Sequence, residues 1–352
     1  MSRFLSSRYQ SMEPYTPGEQ PQGLEWIKLN TNESPYPPSP KVIEAVSRQE
    51  VERLRLYSDP ESKPLVRAIA EFYGVSPAQV FVGNGSDEVL AFLFLAFCDQ
   101  QKPVCFPDIT YGFYPVFCEL FGLQPRIVPL KPDFSVDPSD YIGCGQNVVI
   151  ANPNAPTGLS LSCDQIAAIC VSNPDHLVVM DEAYVDFGAQ SCVPLLGQYP
   201  NLVVVQTFSK SRSLAGGRLG FAIASPEIIE DLNKMKYSFN PYNINRLTML
   251  AGIAAIQDKA YFERCCAAIA DTRENTKQRL RTLGFRVLDS NANFLFAAPP
   301  ALGGEQYYDL LKQHGILVRY FNKDRIRDFV RITIGTPEQM QRLLEVTQEL
   351  IQ

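Results

Sequence analysis

Short apolar runs alternate with longer mixed stretches through the first two thirds of the chain. Seven runs rich in Val, Ile and Leu predict strands, at 79–82, 104–106, 126–128, 147–151, 177–180, 202–207 and 220–224. Several contain almost no polar residue, which is typical of strands buried on both faces of a parallel sheet. Helical stretches lie between them, at 87–98, 114–121, 163–171 and 226–236. This alternation predicts an α/β fold with a large, doubly wound, mostly parallel sheet.

The pattern changes after about residue 240. A long helical stretch, 245–283, contains no proline and one glycine, Gly252, near its start. Mixed signals follow, with strands expected at 285–288, 294–297, 316–319 and 329–334, and helices at 306–314 and from residue 337. This mixture of strands and helices predicts a smaller α+β domain. We therefore expect a large domain at 31–245, a small domain at 246–352, and an irregular segment, 1–30, that packs on the small domain or on a partner subunit.

Composition and charge exclude some classes of protein. The 352 residues are 45% hydrophobic and 20% charged, an ordinary globular composition. The net charge of −6, from 32 basic and 38 acidic residues, leaves no excess of Lys and Arg for phosphates, so we expect no nucleic-acid partner. The longest apolar run, 89–98, is about half of the roughly 20 residues that a membrane span requires, so we expect no membrane association.

Cysteine and histidine usage points to a reducing compartment. Nine cysteines are scattered without a CxxC pair, and there are only two histidines. We therefore expect free thiols, a cytoplasmic location and no metal site. The first residues, MSRFLSSRYQSMEPY, contain no apolar run, so we expect no signal peptide.

Polar residues follow four of the predicted strands, at the edge of an α/β sheet where ligands bind. After the first strand comes Gly-Asn-Gly-Ser-Asp-Glu, which contains Gly85, Ser86 and Asp87. The last two suit a helix cap, and free N–H groups at that helix start could hold a phosphate. An ordinary capped turn would explain the same pattern.

The loop 152–158, Asn-Pro-Asn-Ala-Pro-Thr-Gly, follows the strand at 147–151. Two prolines and a glycine make it rigid, and such loops often contain a cis X–Pro bond. Its asparagines, Asn152 and Asn154, become candidates for ligand contacts because of their place at a strand end. A plain turn is the alternative.

Asp181 ends the apolar strand at 177–180, where a carboxylate is costly unless it has a partner. A protonated ring nitrogen would be such a partner, and an exposed helix cap is the alternative. Lys210 follows the strand at 202–207, and Arg218 lies eight residues later. Near an apolar wall and Arg218, the pKa of the Lys210 amine would fall and the amine could form an imine. Ser209 and Arg218 could share one phosphate.

In this order, the four loops resemble those of the class I/II aminotransferases, a family of fold-type I pyridoxal 5'-phosphate enzymes. Five further segments support the resemblance, which runs from about residue 13 to the end, at 29–33, 57–60, 110–112, 291–294 and 330–336. The resemblance implies that Lys210 carries the cofactor as a Schiff base. It also implies that Asp181 pairs with the pyridine nitrogen, Tyr184 lies near the phenolic oxygen and Tyr111 stacks on the ring.

The resemblance implies roles for further residues. The expected cofactor contacts in this region are Gly85 and Asp87 and, at the phosphate itself, Ser86, Ser209, Arg218 and, from a neighbouring subunit, Tyr57. The last of these implies a homodimer. The expected substrate contacts are Arg331, which binds the carboxylate of glutamate, and Arg319, Tyr15 and Asn32. One position departs from the family pattern, because Ala155 stands where an asparagine usually bonds the phenolic oxygen. Either Asn152 or Asn154 replaces it, or that contact is missing.

The implied reaction is transamination, in which Lys210 moves a proton between the substrate carbon and the cofactor. The expected substrates are histidinol phosphate and 2-oxoglutarate, in histidine biosynthesis. One alternative is an aminotransferase for phenylalanine or tyrosine, and another is a decarboxylase of threonine phosphate. A ligand-sensing domain of a transcription regulator is a third, but it needs a DNA-binding module for which we expect no room.

Overall fold

The computed structural model describes residues 2–20 and 26–351. The strands are β1 (Ile27–Lys28), β2 (Val80–Gly83), β3 (Val104–Pro107), β4 (Arg126–Val128), β5 (Asn147–Ala151), β6 (Val178–Asp181), β7 (Leu202–Thr207), β8 (Gly220–Ile223), β9 (Arg286–Val287), β10 (Phe294–Ala298), β11 (Ile316–Leu317), β12 (Arg319–Tyr320) and β13 (Val330–Thr333). The helices are α1 (Pro40–Ala45), α2 (Arg48–Glu52), α3 (Lys63–Tyr73), α4 (Ser86–Phe97), α5 (Phe113–Phe121), α6 (Cys163–Ser172), α7 (Pro226–Phe239), α8 (Arg246–Gln257), α9 (Lys259–Thr282), α10 (Gly304–Gln313) and α11 (Pro337–Ile351). Short 3₁₀ turns connect several of them.

The large sheet has seven strands in the order β2-β8-β7-β6-β5-β3-β4. All run in one direction except β8, which lies antiparallel to both of its neighbours. Alternate residues of the central strands face two different apolar clusters: Val148 and Ile150 face one, while Val149 and Ala151 face the other. Burial on both faces is the reason for the continuous apolar runs. The predicted fold class, a doubly wound and mostly parallel sheet, is confirmed.

Strand direction decides where the site lies. Because β2, β5, β6 and β7 run the same way, their carboxyl ends meet at one edge of the sheet. The four loops that the sequence singles out therefore come together there.

The prediction of one helix over 245–283 is wrong, because α8 and α9 are separate helices that meet at Asp258. The Asp258 side chain accepts a hydrogen bond from the backbone N–H of Tyr261 and so caps α9. Ser39 also donates to this carboxylate, at 2.5 Å. Helix α8 packs on α1 and α3 and contributes to an apolar cluster of the large sheet. The domain boundary at residue 245 stays a prediction.

The C-terminal part contains a four-stranded antiparallel sheet in the order β12-β13-β10-β9. The strand predicted at 316–319 is in fact two: β11 pairs in parallel with β1, and β12 pairs with β13. Strand β1 thereby joins the N-terminal part of the chain to the C-terminal part. In the parts of the chain that the structure describes, no helix combines the length and apolarity needed to cross a membrane.

Candidate active site

Lys210 follows β7, and its side chain is directed into the protein. Its Nζ donates a hydrogen bond to the backbone oxygen of Thr31 at 3.0 Å and lies 5.8 Å from the ring centre of Tyr184. Burial, helped by the charge of Arg331, lowers the pKa of Lys210 to about 8. A substantial fraction of the amine is therefore neutral near physiological pH, and the neutral amine is the form that attacks a carbonyl.

Asp181 is the last residue of β6 and is only 4% exposed, so it is not a solvent-exposed helix cap. Its carboxylate accepts hydrogen bonds from the hydroxyl of Tyr114 at 2.7 Å and from the N–H of Ala183 at 3.3 Å. Burial raises the pKa of Asp181 to about 6, although the Tyr114 hydrogen bond opposes the rise. Within the described residues no Lys or Arg side chain pairs with this carboxylate. A buried carboxylate in this state suits a cationic ligand atom.

The start of α4 forms a cradle for an anion. Gly85 is the N-cap residue with a φ of 84°, and no side chain caps the helix among the residues that the structure describes, so the predicted cap by Ser86 or Asp87 is wrong. A Cβ on Gly220 would lie 2.3 Å from the backbone nitrogen of Ser86, so this close approach requires glycine. The first N–H groups of α4 thus remain available to an anion, which the helix dipole favours.

Arg218 lies beside this cradle in a left-handed conformation, with a φ of 50°. Its guanidinium donates to Asp87 at 2.9 Å and, more weakly, to the hydroxyl of Ser209 at 3.5 Å. A Cβ on Gly85 would lie 2.5 Å from the guanidinium. The structure therefore brings together all of the residues expected to contact the cofactor phosphate from within one chain.

Tyr111 connects this cradle to Asp181. Its hydroxyl donates to Asp87 at 2.7 Å, and its ring packs edge-on against Tyr114 with centroids 5.7 Å apart. Burial raises the pKa of Tyr111, so the hydroxyl remains a hydrogen-bond donor. The sequence pattern does not single out Tyr114; the available signal is its place three residues after Tyr111, in the first turn of α5, where its backbone N–H donates to the oxygen of Tyr111 at 3.3 Å.

Tyr184 is buried near Lys210. Its ring packs edge-on against Phe294, and its hydroxyl oxygen accepts a hydrogen bond from the side-chain amide of Asn32 at 2.9 Å. Asn32, expected to contact the substrate, therefore bonds to a residue expected to contact the cofactor. Its φ of 57° lies in the left-handed region, which Asn tolerates better than most residues.

The loop 152–158 contains two cis bonds, Asn152–Pro153 and Ala155–Pro156, as its composition led us to expect. The amide of Asn152 bonds to the backbone N–H and oxygen of Leu161, at 2.7 and 3.3 Å. The amide of Asn154 bonds to Thr110, Thr157 and the oxygen of Ile109. Both amides thus hold the loop against the neighbouring segments 109–110 and 161 and are already bonded within the protein. Of the open alternatives at Ala155, this arrangement favours the one in which the usual contact is missing.

Arg331 lies on β13, and its guanidinium donates to the backbone oxygen of Asn30 at 2.8 Å. Its Nε is buried and has no hydrogen-bond partner among the described residues. A buried, unpaired donor is costly, so this nitrogen is poised for an anionic group.

The other expected substrate contacts lie along the N-terminal segment. Arg319 donates to the backbone oxygens of Thr16 and Pro17, at 3.1 and 3.3 Å. Tyr15 stacks on Phe113 with ring centres 4.3 Å apart. Arg319 thus holds the N-terminal segment, and its guanidinium is partly committed before any substrate arrives.

Tyr57 is the expected cofactor contact that does not join the site within its own chain. Its side chain is 81% exposed and stacks on Tyr242 at a centroid distance of 4.4 Å. Its predicted role across a subunit interface stays a prediction.

The model of the family "Aminotransferase class I and II" matches residues 25–346. The chain belongs to this family and is a transaminase.

Individual relatives refine the comparison. A histidinol-phosphate aminotransferase of Brachyspira hyodysenteriae is 51% identical over 352 residues, which is 100% of this chain and 99% of the relative. Another, of Clostridium acetobutylicum, is 48% identical over 351 residues and the full length of both chains. A crystal structure of histidinol-phosphate aminotransferase from Sinorhizobium meliloti in complex with pyridoxal-5'-phosphate superposes with a TM-score of 0.88, at 25% identity, and covers 99% of both chains.

Proposed function

We propose that this enzyme transfers the amino group of histidinol phosphate to 2-oxoglutarate, in histidine biosynthesis, with pyridoxal 5'-phosphate bound to Lys210. One observation carries the proposal: Lys210, a buried amine with a lowered pKa, lies at the same edge of the sheet as the buried carboxylate of Asp181. The charge of Arg331 helps to lower the pKa of Lys210, and the buried Nε of Arg331 has no partner among the described residues. Relatives that are named histidinol-phosphate aminotransferase, and that are 51% and 48% identical over the full chain, support the choice of substrate.

The donor set of the cleft fits pyridoxal phosphate. The start of α4, Ser209 and Arg218 would hold the phosphate, and Asp181 would face the ring nitrogen. Tyr111 would cover the ring and Tyr184 would face the phenolic oxygen. When bound, the cofactor supplies an electron sink that stabilises negative charge at the substrate carbon.

The residues of the chain itself bind the substrate and move protons. The oxygen of Thr31 orients the Lys210 amine, and the lowered pKa lets that amine take up and release a proton near neutral pH. Asp181 contributes a fixed negative charge where water is excluded, because the hydroxyl of Tyr114 and the N–H of Ala183 hold the carboxylate in one orientation.

The proposed anion site must accept two different groups. Glutamate presents a carboxylate, and histidinol phosphate presents a phosphate on a different arm. A planar guanidinium binds either group through two parallel hydrogen bonds, and the Nε of Arg331 has no partner in the part of the chain that the structure describes. Arg319, Tyr15 and Asn32 complete the proposed surroundings of the substrate.

A second candidate is transamination of phenylalanine or tyrosine. The guanidinium of Arg331 lies 5.4 Å from the ring centre of Phe294 and 5.7 Å from that of Phe321. Such apolar walls would also accept an aromatic side chain beside the anion site.

We also propose a homodimer in which Tyr57 reaches the cofactor phosphate of the partner. Large side chains are exposed beside Tyr57 in the sequence, at Leu54 and Leu56, and in contact with it, at Tyr242; they are 47%, 55% and 43% exposed. Apolar side chains that cluster at the surface are typical of protein interfaces.

The first part of the test locates the cofactor. Borohydride reduction of the loaded enzyme, followed by peptide mass mapping, should place the pyridoxyl group on Lys210. Lys234→Ala, which removes an exposed lysine on α7, should leave that label unchanged. A label on a different lysine would overturn the site.

The second part identifies the substrate. Single-turnover spectra with histidinol phosphate, phenylalanine and threonine phosphate should show the highest kcat/KM for histidinol phosphate. A tenfold preference for phenylalanine, about 1.4 kcal/mol, would replace the proposal by the aromatic alternative. Release of carbon dioxide from threonine phosphate would identify the decarboxylase.

A further inference from the structure

Residues 30–32, which follow strand β1 closely, contact three side chains of the candidate active site. Each bonds to one of them: Asn30 O to Arg331 Nη2 at 2.8 Å, Thr31 O to Lys210 Nζ at 3.0 Å, and Asn32 Nδ2 to Tyr184 Oη at 2.9 Å. The first two contacts come from the backbone, so any residue type could make them. The third depends on the side chain of Asn32, and this contact determines what Tyr184 can do.

Asn32 is held in a single orientation. It is 1% exposed, and its backbone oxygen accepts a hydrogen bond from Asn293 at 3.0 Å. Its backbone N–H donates to the hydroxyl oxygen of Thr333 at 3.0 Å, and that hydroxyl in turn donates to the Asn32 side-chain oxygen at 2.9 Å. Since the amide oxygen is occupied by a donor, the NH₂ group is the end that faces Tyr184.

The direction of this amide sets the direction of the Tyr184 hydroxyl. Because the NH₂ group can only donate, the Tyr184 oxygen accepts, and the hydroxyl hydrogen must point to a different acceptor. Burial raises the pKa of Tyr184, which keeps that hydrogen in place. The nearby loop 152–158 offers no free side-chain amide for the same task, since Ala155 is apolar. The amide of Asn152 is bonded to Leu161, and that of Asn154 to Ile109 and Thr110.

We propose that Asn32 is a positioning residue, which fixes the hydroxyl of Tyr184 as a hydrogen-bond donor toward the ring oxygen of the cofactor on Lys210. This inference rests on the proposed function, because it requires the cofactor to be attached to Lys210. With the cofactor bound, its linkage to Lys210 would carry a proton that the neighbouring ring oxygen, when negative, would stabilise. A donor on that oxygen would withdraw part of this stabilisation, so the linkage would lose its proton at a lower pH.

The test is a spectrophotometric pH titration of the loaded enzyme, which reports the protonation of the linkage independently of turnover. Asn32→Gly removes the amide and tolerates the left-handed φ of 57°. It should raise the pH midpoint by about half a unit to one unit, as expected for the loss of one ordinary hydrogen bond. Asn322→Gly, which removes an exposed asparagine, is the matched control and should leave the midpoint unchanged.

A double-mutant comparison separates positioning from a direct effect. Tyr184→Phe should raise the midpoint at least as much as Asn32→Gly. If Asn32 acts through Tyr184, adding Asn32→Gly to Tyr184→Phe should change nothing further. Two results would overturn the inference. One is an unchanged midpoint in Asn32→Gly. The other is that Asn32→Gly shifts the midpoint equally in the unmodified enzyme and in Tyr184→Phe.

Two measurements keep the inference and the proposed function distinguishable. If borohydride fails to label Lys210 in the unmodified enzyme, the proposed function fails and the titration has no linkage to report. If Lys210 is labelled but the midpoints do not follow the expected order, only the role of Asn32 is refuted. If Asn32→Gly proves unstable, Asn32→Asp takes its place in the titration. Asp keeps the shape of the side chain and tolerates the left-handed backbone, but it replaces the donor by an acceptor, so it should also raise the midpoint.

Discussion

Tyr114 determines how the buried charge of Asp181 is supported. Its side chain is fully buried on α5, and its hydroxyl donates to the Asp181 carboxylate at 2.7 Å. The other donor to this carboxylate is the N–H of Ala183, at a longer 3.3 Å. Tyr114→Phe removes the shorter hydrogen bond but keeps the ring, which packs against Tyr111 and Phe106. The substitution therefore changes charge stabilisation with little change in packing.

The size of the effect depends on the protonation of Asp181. A hydrogen bond to a charged group contributes about 1.5–3 kcal/mol and one between neutral groups about 0.5–1.5 kcal/mol. At 1.36 kcal/mol for each pKa unit, the loss of the Tyr114 hydroxyl should raise the pKa of Asp181 by about one unit above its present value of about 6. The shift of about one unit corresponds to the difference in free energy between a hydrogen bond to the charged carboxylate and one to the neutral carboxyl group.

The sign follows from linkage. In the cofactor-free protein, burial holds the pKa of Asp181 above its unfolded value of 3.8. The folded state thus favours the protonated carboxyl, and its contribution to stability is lost as the pH rises from the unfolded pKa through the folded one. Because Tyr114→Phe raises the pKa of Asp181 in the folded state further, the loss of stability continues to a higher pH in this variant. The destabilisation caused by Tyr114→Phe should therefore be smaller at pH 5 than at pH 8.

The assay is denaturant unfolding of the cofactor-free protein at pH 5 and pH 8, at one protein concentration. The free energy of unfolding should fall by about 1 kcal/mol at pH 5 and by about 2–3 kcal/mol at pH 8. In an Asp181→Asn background, Tyr114→Phe should cost the same at both pH values. A loss that is already independent of pH when Asp181 is present would refute the reasoning and leave Tyr114 with a packing role.

Two further predictions concern the substrate site and the subunit interface. Arg331→Ala should lower kcat/KM for both glutamate and histidinol phosphate by roughly 100-fold, about 3 kcal/mol, whereas Arg319→Ala should lower kcat/KM mainly for the phosphate substrate. Steady-state kinetics of each half-reaction measure both effects. A larger effect of Arg319→Ala on glutamate would contradict this division. A mixture of Tyr57→Ala and Lys210→Ala proteins should recover activity through hybrid dimers, if Tyr57→Ala alone is impaired; no recovery in a protein that sediments as a dimer would remove Tyr57 from the neighbouring site.

The large sheet could be predicted because each of its central strands is buried on both faces. In β5, neighbouring residues such as Val148 and Val149 contact different apolar clusters, so every position after Asn147 is apolar and the run is visible in the sequence. The same burial explains why Asp181 stands out at the end of β6. A polar residue at the end of such a strand marks the edge of the sheet, and the sheet itself brings these ends together.

The helices between residues 40 and 73 could not be predicted with the same rule. Helices α1 and α2 are short, with six and five residues, and α3 begins with Lys63-Pro64 after the left-handed Ser62. A helix start of this kind carries no side-chain cap and is easily taken for a loop. The break at Asp258 had a local signal, since Asp is a common N-cap residue, but no proline or glycine marks it.

The contacts that orient the site depend on tertiary packing. Asn32 and Tyr184 are 152 residues apart, and Asn32 and Thr333 are 301 residues apart. Neither spacing leaves a periodic trace in the sequence, because a hydrogen bond between distant segments constrains two residue types and nothing between them. The sequence could therefore indicate which groups react, since strand ends define their place. How the proton of Tyr184 is directed follows only from the packing of segment 30–32 between β13 and the end of β6, and there a single amide determines the direction of the donor.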